Sequence, residues 1–322
     1  MSLPVKTTTV NTTVKEKNPG NVIAEKWQYS VLLGFIYIVL AGESAASLHA
    51  ESTQTQISFG YSYVYNSRME KLINCFKKKP DAVVRLICFP WAGGGSIHYA
   101  RWGSVLNSSI EVFAVKLPGR ESRAKEPFFE NMQQIVDEVL NLLLPVLKEK
   151  PFALFGHSFG AFTSYAVADA LKKLENIEPV HIFLSGASAP YSETRIQAPK
   201  RSDLSDEDFL KWLISIGGTP PELLANPEVL KVFLPALKAD LHVVENYKCN
   251  KPVSAFLSCP VSCFDGKDDI PHDLQAWKAI TTGDFNVRML DGSHFYLKDL
   301  GNERIILDYV TRQLELSGMD YF

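Results

Sequence analysis

The chain has 322 residues, 46% of them hydrophobic, which is enough apolar chain to bury a sizeable core and excludes a disordered or fibrous protein. Its 33 Lys and Arg stand against 36 Asp and Glu, and a net charge of -3 removes the electrostatic reason to expect a nucleic-acid partner. Five cysteines in a chain this long do not make the dense disulfide framework of a small secreted domain, so they read as reduced thiols. Cys259 and Cys263 lie four apart with no Cys or His cluster to complete a zinc site, and no metal is expected.

In chain order, residues 1–25 are rich in Thr, Lys and Asn, the composition of a flexible segment. The apolar run "YSVLLGFIYIVLAG" at 29–42 is shorter than the roughly 20 residues a bilayer-spanning helix needs. The small residues of "ESAASLHA" after it match a signal-peptidase site, so a secretory signal within 26–50 is an open alternative. Against it stand the distance of the run from Met1, the thiol-like cysteines and the internal Met69 that begins "MEKLINCFKKKP". The division expected is therefore an N-terminal extension over 1–68 and a cytosolic domain over 69–322.

From residue 84 the pattern becomes regular. "VRLICFPW", "IEVFAVKLPG", "PFALFGHS", "VHIFLSGAS", "PVSCFDG" and "NVRMLDG" are continuous apolar runs, as strands covered on both faces require. They alternate with helical stretches at 132–149, 161–176 and 302–316, which predicts a mostly parallel, doubly wound α/β sheet. One stretch breaks the alternation. Residues 195–247 contain helix candidates and no strand: "LSDEDFLKWLISIGG", opened by Ser205 and closed by Gly217-Gly218, and "PEVLKVFLPALKADLHVVENY", bent or divided at Pro235. An all-helical insertion there is placed to cover the strand ends as a lid.

The chemistry centres on "PFALFGHSFGAF". Here a G-x-S-x-G follows a strand and opens a helix, the context of a nucleophile elbow: glycines at 156 and 160 allow the sharp turn and Ser158 projects from the sheet edge. The turn aims the Phe159 amide and the helix N-terminus at any anion forming beside Ser158. A serine hydroxyl is a weak nucleophile at neutral pH, so a base and an acid must follow downstream in the order Ser, Asp, His. Of seven histidines only His294, in "LDGSHFYL", combines that order with a loop after a strand. Asp265, Asp268 and Asp269 compete for the acid; Asp269 is favoured by its G-x-x-D spacing after Gly266, with Asp268 next. "CFPWAGGGS" supplies a second oxyanion donor, the amide of Trp91 or of Ala92. Lid residues Phe209, Trp212, Leu213, Leu223, Phe233 and Leu237 are candidates to line a channel, and each equally suits a helix face packed on the sheet.

Taken together, "FPWAGGGS", "LPGRESR", "FGHSFG", the "GKDD" turn and "GSHFYL", in this order and spacing, resemble the type II thioesterases, nearest the animal branch that serves fatty acid synthase. The resemblance spans roughly 69–322 and implies an α/β-hydrolase fold. It implies hydrolysis of a fatty acyl thioester from the phosphopantetheine arm of an acyl carrier protein, with medium-chain acid released. By position, Ser158 becomes nucleophile, Asp269 acid and His294 base, with no cofactor of the enzyme's own and a monomeric chain. Phe159 stands where the family commonly has methionine or leucine, which leaves the amide in place. Arg120, Glu121 and Arg123 of "LPGRESR" either steady their loop by ion pairing or meet a carrier protein, with the structural role favoured. Residues 1–68 have no counterpart in that pattern.

Overall fold

Long runs of Val, Ile, Leu and Phe have no polar face to offer water, and the chain resolves this by burying them in one sheet between two helical layers. The computed structural model describes residues 68–216 and 226–319. The sheet has seven strands, β1 (Ile73–Asn74), β2 (Val84–Phe89), β3 (Ile110–Val115), β4 (Phe152–His157), β5 (His181–Ser185), β6 (Val261–Gly266) and β7 (Phe285–Leu290). Their order is β1-β3-β2-β4-β5-β6-β7, with β1 antiparallel to β3 and the remaining pairs parallel. All six expected strands are present, and every residue of β2 to β6 is buried. The edge strand β7 alternates half-buried and exposed positions, as an edge does.

Because successive side chains point to opposite faces, the strands feed two separate cores. Ile87, Phe89, Leu154, Ile182 and Leu184 join one core with α2 (Met132–Glu149) and α3 (Phe159–Glu175). Leu86, Cys88, Ala153, Phe155 and Phe183 join the other with α1 (Ile97–Val105) and α7 (Leu300–Met319). Two elements have no counterpart among the expected ones. The two residues of β1 are too few to show a period. The short α1 buries Tyr99 and Trp102 but exposes Ile97 and Val105, so apolar residues fall on both faces and blur its period.

Between β5 and β6 the described chain is helical: α4 (Glu193–Ile196), α5 (Asp206–Ile216) and α6 (Pro227–Asn246). The division expected at Pro235 is not found, and α6 runs through it as one helix. Proline removes one intrahelical hydrogen bond, but Leu234, Ala236 and Leu237 are buried on either side of it and hold the helix to the domain. Asn226 caps α6 by accepting from the Glu228 and Val229 amides at 3.1 and 3.3 Å. Gly217, Gly218, Leu223 and the whole stretch 1–67, with its apolar run, lie outside the described residues. Among the described residues no helix is long and apolar enough to cross a membrane.

Backbone meets backbone closely where α3 leaves β4. A Cβ at Gly160 would fall inside the contact radius of the Phe89 and Pro90 carbonyls, and one at Gly156 would strike the Gly160 carbonyl. Gly160→Ala must push α3 off the sheet and is expected to cost about 1–3 kcal/mol, read from urea unfolding of wild type and variant side by side.

Candidate active site

The sharpest local constraint is at Ser158, which sits between the last residue of β4 and the first of α3 with φ 55° and ψ -117°. A side chain in this region costs about 1–3 kcal/mol, and it persists only when the surroundings over-determine it. They do: the Ser158 amide donates to the Ser185 carbonyl on β5 at 2.7 Å, and its carbonyl accepts from Ala161 at 2.9 Å. The strain lifts a half-exposed hydroxyl out of an otherwise buried strand end. It also sets the Phe159 amide at the start of α3, where helix geometry leaves it without an intrahelical acceptor.

The loops after β6 and β7 carry the other two candidates. His294 Nδ1 donates to Asp269 Oδ2 at 2.7 Å. A carboxylate only accepts, so Nδ1 holds the proton and Nε2 remains as a lone-pair base. The His294 ring lies 4.9 Å from that of His157, the residue immediately before Ser158. Burial alone would raise the Asp269 carboxyl, but the hydrogen bond and charge of His294, with His272 behind it, outweigh burial and hold it below the ordinary range. The three competing aspartates are thus separated by geometry. Asp268 is exposed, whereas Asp265 is buried and spends its oxygens on the Gly266 amide and on His272 Nδ1 at 2.9 Å.

His272 was not singled out by its position in the sequence, yet its Nδ1 also stands 3.8 Å from Asp269 Oδ2, which sets a second histidine–carboxylate pair behind the first. Asp269, His272 and His294 offer atoms within 4.8 Å of one another, the kind of grouping that holds a cation elsewhere. Within the group the two Nδ1 atoms are committed, that of His294 to Asp269 and that of His272 to Asp265. A third histidine, His157, is fully buried, and burial together with its histidine neighbours keeps it neutral. Its Nδ1 meets Ser185 Oγ at 2.8 Å, and Ser185 Oγ meets the Tyr296 hydroxyl, which ties β4, β5 and the His294 loop together.

The loop after β2 closes on itself through a hydrogen bond from the Gly94 amide to the Trp91 carbonyl at 2.9 Å. The Trp91 and Ala92 amides have no acceptor among the described residues, whereas the Gly93 amide is committed to Asp240 Oδ2 of α6 at 2.8 Å. Asp240 in turn pairs with Arg120 through both carboxylate oxygens, at 2.6 and 2.8 Å, and Arg120 also donates to the Gly94 carbonyl. Burial pushes the Asp240 carboxyl up, while Arg120 and the Gly93 amide pull against it. Glu121 accepts from the amide and hydroxyl of Ser96, and Arg123 pairs with Glu126 and Glu138. Of the "LPGRESR" charges, Arg120 and Glu121 hold the loop after β2, while Arg123 ties its own loop to α2.

The expected acyl-contact residues divide. Phe209 and Leu213 are buried in the larger core, Phe209 with its ring 5.4 Å from that of Trp212. Phe233 and Leu237 instead press on Gly93, where an added Cβ would meet Phe233 Cε2 and Leu237 Cβ at 3.0 Å. Two surface cavities of about 400 and 300 Å³, between Pro118 and Glu138 and between Asn131 and Tyr247, touch none of Ser158, Asp269 and His294.

The profile of the Thioesterase domain matches residues 84–314. The chain is 48% identical over 252 residues to the medium-chain S-acyl fatty acid synthase thioesterase of Rattus norvegicus, covering 78% of this chain and 96% of that one. Among solved structures, human thioesterase 2 is 38% identical with a TM-score of 0.57, over 73% of this chain and 98% of that chain. BorB, the type II thioesterase of the borrelidin biosynthetic cluster, is 30% identical with a TM-score of 0.65, over 76% and 97%. These neighbours share the mostly parallel sheet with helices on both faces expected of an α/β-hydrolase.

Replacement of the acid separates Asp269 from its neighbour. Asp269→Asn is expected to lower kcat by about 10⁴-fold, since an amide at that position fails to hold the histidine in its required tautomer. Asp268→Asn is expected to leave kcat within a few-fold. Steady-state hydrolysis by the two variants checks both, and equal losses would return the choice of acid to the open.

Proposed function

The chain belongs to the thioesterase family, and on that footing we propose that it releases medium-chain fatty acids from the phosphopantetheine arm of a fatty acid synthase acyl carrier protein. The observation that carries this reading is the 2.7 Å bond between His294 and Asp269, with the His294 ring 4.9 Å from that of His157, the residue before a strained serine at the head of a helix. The name of the rat relative supports the fatty acyl and synthase parts of it.

In the proposed reaction His294 Nε2 takes the proton of Ser158 as Oγ attacks the thioester carbonyl. Asp269 stabilises the imidazolium through the Nδ1 proton and remains ionised. The developing oxyanion is met by the Phe159 amide, reinforced by the α3 N-terminus, and by the Ala92 or Trp91 amide; each such donor is worth about 2.7–4 kcal/mol. His294 returns its proton to the departing pantetheine thiol, and the acyl group stays on Ser158. Water activated by the same histidine then frees the acid. The chain itself supplies every group in this sequence, and the phosphopantetheine belongs to the partner. Five cysteines, all free thiols in the structure, support a cytosolic setting.

The test is hydrolysis of acyl-carrier-protein thioesters from short to long chains by wild type and Ser158→Ala. The expected outcome is a maximum at medium length in wild type and a rate near the uncatalysed one in Ser158→Ala. Faster turnover of soluble oxygen esters than of acyl-carrier thioesters would point to a general esterase instead, and no turnover of any thioester by wild type would overturn the proposal.

A further inference from the structure

Phe233, Leu237 and Asp240 lie at i, i+4 and i+7 of α6, so they share one face of the lid helix. All three meet the same glycine of the oxyanion loop. Phe233 and Leu237 pack on the space where a Gly93 side chain would be, and Asp240 accepts the Gly93 amide proton at 2.8 Å. Asp240 is also one half of a bidentate pair with Arg120, which reaches the next residue of that loop through the Gly94 carbonyl at 3.1 Å. Both side chains are less than 10% exposed. Gly93 and Gly94 directly follow Trp91 and Ala92, the two residues whose amides are left free to receive an oxyanion.

From this arrangement we infer that Asp240 is a positioning residue for the oxyanion hole: the lid helix, through Asp240 and Arg120, holds the loop so that the free amide faces Ser158. The inference rests on the catalytic reading above. A glycine-rich turn has no side chains of its own to fix its peptide planes, so their orientation is set by whatever accepts and donates to them. Here the acceptor for Gly93 and, through Arg120, the donor for Gly94 both depend on a side chain carried by the lid. The hole is therefore assembled only while α6 is seated.

Asp240→Asn keeps the size of the side chain and removes its charge, and Arg120→Lys keeps the charge and removes the fork that spans Asp240 and Gly94. Both are expected to lower kcat by about tenfold or more, at or below the loss seen when a whole oxyanion donor is deleted, with KM changed little. The discriminating measurement is affinity for an acyl trifluoromethyl ketone, which forms a tetrahedral oxyanion adduct on serine, set against affinity for the free fatty acid, which does not. The ketone should weaken in parallel with kcat while the fatty acid binds as in wild type. Unchanged kcat and ketone affinity with only a lowered melting temperature would make the pair a structural staple and overturn the inference. Equal weakening of ketone and fatty acid would assign the pair to acyl binding and overturn it as well. The ketone needs only a reactive serine and an oxyanion site, so its affinity still reads the loop in a wild-type chain that turns over no acyl-carrier thioester, and the two failures are told apart.

Discussion

The close approach of α3 to β2 and β4 is the constraint from which the rest of the site follows. Without side chains at Gly156 and Gly160 the helix begins directly against the strand ends, and Ser158 has no relaxed conformation open to it. Its positive φ is held by the Ser185 and Ala161 hydrogen bonds and by two cores packed on opposite faces of the sheet. Strain of this kind persists only where the surroundings over-determine the conformation, as they do here. Rigidity in the sheet is thus what makes exposure of one serine possible.

Around that fixed point the polar groups are divided between two histidine–carboxylate pairs. Asp269 serves His294, while Asp265 serves His272, and neither carboxylate is left buried without a donor. His157 contributes no charge, being enclosed and neutral, and instead joins two strands to the His294 loop through Ser185 and Tyr296. Three histidines thus lie close together, and of these His294 is the one paired with Asp269 through Nδ1 at 2.7 Å.

The parallel sheet was legible because five of its strands are buried on both faces and therefore read as unbroken apolar runs. β1 was not, since two residues carry no period, and α1 was hidden because apolar Ile97 and Val105 lie on its exposed face, opposite buried Tyr99 and Trp102. Ser158 and His294 stood out by order along the chain, a one-dimensional property. The choice among Asp265, Asp268 and Asp269 depends on which carboxylate the turn points inward, which spacing alone leaves undecided. Pro235 suggested a break because local propensity disfavours it in a helix, and burial on either side overrides that preference. Asp240 was invisible for a different reason: its partners Arg120 and Gly93 are more than a hundred residues away, and only the folded lid brings them within reach.

The five cysteines take on a different meaning in a protein of this chemistry. A thioester is an electrophile toward any thiolate, so a chain that hydrolyses thioesters is exposed to transfer of acyl groups onto its own sulfurs. Burial counters this at each position, shutting Cys88 and Cys263 away in strands and pushing Cys259 up to about 12, with half-buried Cys75 and Cys249 raised as well. Only the ionised form attacks, and at neutral pH that form is scarce at all five. The same packing that builds the sheet therefore makes the protein a poor acyl acceptor for its own substrates.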